Sequence, residues 1–154
     1  MEYGAIDLHK RFSQIRIEDE TGAVVLEDRI ATTREAFTAV WGARPRMRIL
    51  VESSTESEWV AQHLESLGHE LVVADPNFLP MYGDRRRRIK TDRRDVVALT
   101  AACRTGVYRL AHRASAATRA LRRVLRIRRL LVAQRSAQIC LLRALLRQDN
   151  YRLA

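Results

Sequence analysis

Residues 2–30 read EYGAIDLHKRFSQIRIEDETGAVVLEDRI, and the alternation inside this stretch decides the fold class. Glu2 to Leu8, Phe12 to Glu18 and Ala23 to Ile30 each carry a strand pattern, clearest at Ile15 and Ile17, where apolar and polar residues alternate. The polar pair His9-Lys10 separates the first two, and the turn Asp19-Glu20-Thr21-Gly22 separates the second from the third.

Downstream the period changes. Glu35 to Trp41 reads as a helix, Pro45 breaks the chain, and Met47 to Glu52 is a compact apolar run of the kind that fills a central strand. Thr55 followed by Glu58 has the form of a capping box and opens a helix over about 56–67, which Gly68 stops. Leu71 to Ala74 is a second short buried strand, closed by Asp75-Pro76 and an irregular stretch through Pro80 and Gly83. Thr91-Asp92 starts a helix running to Gly106, and a further helix covers about 116–146. In that last helix Leu121, Leu125, Val132, Ile139, Leu142 and Leu146 recur at spacings near 3.5, with Arg128 and Arg135 intruding on the same seam. Three strands, a helix, a strand, a helix, a strand and a helix is the element order of the ribonuclease H-like fold, an α/β layer architecture. We expect that domain over 1–112 and an Arg-rich helical or coiled-coil segment over 113–154.

The chain has 154 residues, 47% hydrophobic and 30% charged, with 6 Gly and 3 Pro, which suits a folded and largely regular structure. Its net charge of +10 is unevenly divided. Residues 1–84 hold 8 Lys and Arg against 15 Asp and Glu, a net −7, whereas residues 85–154 hold 20 against 3, a net +17. Nearly all of the basic half is arginine, whose planar fork pairs bidentately with phosphate, so the asymmetry points to nucleic acid. A basic membrane-surface helix is the competing explanation, and the basic face lacks the Trp and Phe anchors it would use. Cys103 and Cys140 have no neighbouring Cys or His at zinc-ligand spacing, and no apolar run approaches the roughly 20 residues that span a bilayer. We expect a cytoplasmic protein.

Four carboxylates carry the chemistry. Asp7 lies in the first strand between Ile6 and Leu8, where propensity and desolvation both disfavour an aspartate. Glu52 ends the central strand after Ile49, Leu50 and Val51, and Asp92 and Asp95 stand three apart at the start of a helix, on one face. Singly each has an ordinary explanation as a cap, a first-turn acid or a strand-end ion pair. Together they form a set that would repel itself unless divalent cations neutralised it, and Mg²⁺ (or Mn²⁺), with its preference for hard oxygen ligands, is the natural guest. Two such ions, about 4 Å apart, can serve the attacking and leaving oxygens of a phosphodiester. His9, His63, His69 and His112 are scattered over four elements and read as ordinary residues. Ser53, Ser54 and Ser57 fit helix capping, and no histidine stands where a serine hydrolase would need its base. Lys10, Arg85, Arg86, Arg87, Arg88, Lys90, Arg93, Arg94, Arg122, Arg123, Arg126 and Arg129 are the candidate contacts to nucleic acid.

Three motifs give the chain a family likeness. They are Ala5-Ile6-Asp7-Leu8-His9-Lys10, Val51-Glu52-Ser53-Ser54 with Trp59 following, and Lys90-Thr91-Asp92-Arg93-Arg94-Asp95 with Val73-Ala74-Asp75-Pro76 ahead of it. In these residues the chain resembles the DEDD transposases of the "IS one-ten" family of bacterial insertion sequences, over nearly its whole length. The resemblance implies that Asp7, Glu52, Asp92 and Asp95 are the metal-binding catalytic acids of a RuvC-like domain similar to Holliday-junction resolvases. It also implies DNA and an element-encoded guide RNA as partners, and a homo-oligomer assembled through a coiled coil that Leu121 to Leu146 would supply. The family usually has Gly where Ala5 stands and Ala where Val96 stands. Its C-terminal domain, which bears a nucleophilic serine, would begin beyond Ala154. The expected function is metal-dependent DNA strand cleavage and exchange by a transposase; the alternatives are a truncated, non-catalytic nucleic-acid-binding remnant and a stand-alone structure-selective nuclease.

Overall fold

A computed structural model describes residues 1–78 and 92–151, Asp92 by its backbone alone. The chain divides into two compact units, Met1–Arg113 and Ala114–Ala154. In the first unit, β1 (Tyr3–Asp7), β2 (Phe12–Glu18) and β3 (Val24–Ala31) form an antiparallel meander, followed by α1 (Arg34–Trp41), β4 (Arg48–Glu52), α2 (Ser57–Ser66), β5 (Glu70–Ala74), a short 3-10 turn over Pro76–Phe78, and α3 (Asp92–Thr105). The strands join one mixed sheet in the order β3-β2-β1-β4-β5, with β1, β4 and β5 parallel to one another. The class is α/β.

The two faces of this sheet bury different partners. Ile6, Ile15, Ile17, Ile49, Val51 and Val73 point to one side, where Phe37 and Trp41 of α1 and Val60, Ala61 and Leu64 of α2 close over them. Ala5, Leu50, Val72 and Ala74 point to the other and meet Val96, Leu99 and Cys103 of α3. Helices on both faces explain why β4 and β5 read as continuous apolar runs: both of their faces are covered.

Polar contacts fix the helices. Thr33 Oγ1 accepts from the Ala36 amide and caps α1. The capping box expected from Thr55 and Glu58 does not form. Instead Ser54 Oγ accepts from the Ser57 amide (3.2 Å) while Ser57 Oγ accepts from the Ser54 amide (3.1 Å). Glu58 accepts from Arg113 (3.1 Å), a long-range partner. Gly68 and Gly106 take positive φ (+96° and +74°) just past α2 and α3, the left-handed turn that ends a helix at least cost to glycine.

A short segment after α3 adds to the sheet. The Asp75 amide donates to the Arg109 carbonyl (2.8 Å) and the Ala111 amide to the Val73 carbonyl (2.8 Å), with Ala74 bridging Leu110 in antiparallel sense. The far side of β5 is thereby paired at its C-terminal end.

The second unit is dominated by α4 (Ala116–Gln148), which is 33 residues long and has no buried residue. Ser115 caps it by accepting from the Thr118 amide (3.2 Å). The helix holds nine arginines and no acid. No helix among the described residues is long and apolar enough to cross a membrane.

Candidate active site

Sheet register brings two of the four acids together. Ile6 pairs with Val51 across the parallel β1–β4 ladder, so Asp7 and Glu52 come next on neighbouring strands, both at the C-terminal ends. Side chains alternate along a strand. Because Ala5 and Leu50 face α3, Asp7 and Glu52 lie on that same face.

The run of α3 supplies a third. Cys103, near the end of α3, donates to the carbonyl of Arg48 at the start of β4 (3.6 Å), so the helix runs opposite to β1 and β4. Its first turn therefore lies toward the strand ends that carry Asp7 and Glu52. Asp95 precedes Leu99 by one turn on the stripe that packs against the sheet, and is buried to 9% exposure; Asp7 is at 8%. Asp92 opens the same helix one turn earlier. Among the described residues no three His, Cys, Asp or Glu side chains stand close enough to share one ion. The donor set at this end of the sheet is nonetheless carboxylate oxygen, the hard ligand type that Mg²⁺ prefers.

His9 belongs to this neighbourhood. Its Nε2–H donates to Asp7 Oδ2 over 3.2 Å, and the ring is about half exposed while the carboxylate is not. A histidine two residues beyond a strand-end acid was the sequence signal for this contact, and nothing in the spacing alone distinguishes it from a surface residue.

An ion-pair network, largely buried at Arg16, Glu18 and Glu27 and exposed at Arg93, ties α3 to β2 and β3. Arg16 on β2 donates to Glu18 (2.8 Å) and to Glu27 of β3. Arg93 of α3 is ion-paired with the same Glu27, and Arg104 of α3 donates to Glu18 (3.3 Å). Arg93, one of the candidate nucleic-acid contacts, is thus engaged within the domain. Lys10 and Arg94 are exposed beside the site, and Arg122, Arg123, Arg126 and Arg129 are exposed on α4. Arg85, Arg86, Arg87, Arg88 and Lys90 lie outside the described residues.

A family model described as transposase, DEDD_Tnp_IS110, matches residues 5–150. The chain belongs to this DEDD transposase family. The match runs from the strand that carries Asp7 through the whole of α4, so the transposase assignment covers both compact units. No curated protein matches the chain.

Proposed function

We propose that this transposase-family chain is a RuvC-like, ribonuclease H-like catalytic domain that holds Mg²⁺ or Mn²⁺ through Asp7, Glu52, Asp92 and Asp95 and acts on DNA phosphodiesters. One observation carries the reading: Asp7 and Glu52 are register neighbours at the C-terminal ends of two central parallel strands, on the face where α3 delivers Asp95. Carboxylates gathered at one sheet end repel one another, and a divalent cation would offset that repulsion. When bound, the metal would polarise the phosphodiester and activate the attacking oxygen. His9 orients Asp7, and the Glu18–Arg16–Glu27–Arg93 network fixes the start of α3 on which the last two acids stand. The strand order β3-β2-β1-β4-β5, with β2 antiparallel to its neighbours, supports the ribonuclease H-like reading.

The arginines of α4 would bind DNA or a guide RNA through phosphates, because an acid-free helix with nine cations offers no internal neutralisation. Its exposed Leu121, Leu125, Val132, Ile139 and Leu142 would pair with a second copy as a coiled coil. A cytoplasmic site of action goes with this reading.

Calorimetric titration of Mn²⁺ into the full chain tests it. Saturable heats in the wild type that Asp7→Asn and Asp95→Asn both lose are the expected result. Equal heats from all three proteins, with DNA binding retained, would reduce the chain to a nucleic-acid-binding remnant.

A further inference from the structure

The row of residues that contains Asp7 does not stop at β1. Asp7 pairs with Gln14 on β2, and Gln14 pairs with Arg29 on β3, so Glu52, Asp7, Gln14 and Arg29 follow one another across four strands on a single face. Charge changes sign along that row. At its far end the Arg29 guanidinium lies 4.7 Å from the centroid of the Phe12 ring, yet Phe12 remains 47% exposed. An open groove of about 510 Å³ runs here, lined by His9, Lys10, Arg11, Phe12, Gln14 and Arg29. Among the described residues no carboxylate pairs with Lys10, Arg11 or Arg29.

We propose that this groove is a binding track for a single strand of DNA, with Arg29, Lys10 and Arg11 on its phosphates and Phe12 stacking one base, and that it delivers the strand to the acids beside it. The inference rests on the reading of Asp7 and Glu52 as the reacting end. Three observations carry it. The groove joins three cations to an exposed aromatic ring, the combination that binds single strands without reading sequence. It abuts Asp7 through His9 and Gln14, and neighbouring strands are about 4.8 Å apart, so Arg29 stands only about 10 Å along the row from the acid. A polyanion approaching a carboxylate site also meets repulsion, which these cations offset at the entrance. An exposed Phe12 held by Arg29 gains little from burial where it is; stacking gives it a use.

Photo-crosslinking of the full chain to a short single-stranded DNA bearing iododeoxyuridine, with the adduct mapped by mass spectrometry, tests the track separately from α4. The adduct should fall on the peptide containing Phe12. Phe12→Leu, which keeps an apolar side chain, should cut its yield about tenfold, as loss of a stacked base predicts. Arg29→Ala should lower it several-fold, while Arg46→Ala, an exposed arginine at the opposite end of the sheet, should leave it unchanged. Adducts confined to other peptides, or a yield indifferent to Phe12→Leu, would overturn the proposal. Preferential capture of an RNA of the same sequence at Phe12 would overturn its assignment to DNA. Mn²⁺ heats of Phe12→Leu and Arg29→Ala should match the wild type, so failure of the metal site and failure of the track are read in different experiments.

Discussion

His9 Nε2–H points at Asp7 Oδ2 across 3.2 Å, linking a half-exposed ring to a carboxylate that is nearly buried. A hydrogen bond of this kind fixes the rotamer of the carboxylate it reaches. We expect His9→Ala to weaken Mn²⁺ binding about tenfold, the scale of outer-shell partners, and Asp7→Asn to abolish it. Calorimetry on the two variants makes the comparison; equal effects would mean that His9 is itself a ligand.

Arg113 closes the first unit by gripping α2. It donates to Glu58 (3.1 and 3.2 Å) and to Glu65, and these two carboxylates raise its pKa further above the ordinary arginine value, Glu65 the more. Arg113→Ala should cost roughly 1–2 kcal/mol, given the partial exposure of the cluster, and Arg113→Lys should recover only part of it because the fork is lost. Denaturant midpoints measure both.

The two cysteines should behave oppositely toward thiol reagents. Burial pushes the Cys103 thiol up to about 12, from an ordinary 9.0, whereas Cys140 is exposed on α4. A disulfide reagent at neutral pH should label Cys140 at once and Cys103 only on unfolding. The linkage has a definite sign: above about pH 9 the unfolded chain can release the Cys103 proton while the folded chain retains it. This group's contribution to stability should therefore fall as pH rises from 9 toward 12, and Cys103→Ala should remove that component of the alkaline slope.

Duplex DNA binding should be steeply salt-dependent. Each phosphate neutralised adds about −0.9 to the log-log slope, so replacing Arg122, Arg123, Arg126 and Arg129 by Ala should flatten it by up to about 3.6 if all four contact phosphate. Anisotropy titrations at several salt concentrations give the slope. No change would remove this stretch of α4 from the interface.

How much of this was legible beforehand depended on whether the signal was local. The alternation of Ile15 and Ile17 and the apolar run Ile49–Val51 report sheet faces directly, so all five strands were placed to within two residues at either end. Asp7 and Glu52 stood out because an acid at the end of a buried strand needs a reason. What the chain's order hides is pairing between distant segments. The Thr55–Glu58 box failed because the helix starts at Ser57 with Glu56 at its cap, and Glu58 meets Arg113, 55 residues away, instead. Arg109 to Ala111 joins β5 through backbone groups alone, which leave no mark on side-chain pattern. The Asp7–Gln14–Arg29 row exists only once two registers are known.

The pairing of 109–111 with β5 also bears on solubility. A five-stranded sheet has two borders, each a row of donors and acceptors onto which a second chain could add and start an aggregate. One border is paired from within at its end, where Arg109 and Ala111 meet Asp75 and Val73. The other, β3, exposes Val24 and Val25 but then carries the exposed charges Asp28 and Arg29 in succession, so an incoming strand would have to desolvate both to extend the sheet. The two margins are thus guarded differently, by backbone pairing at the end of β5 and by charge along β3.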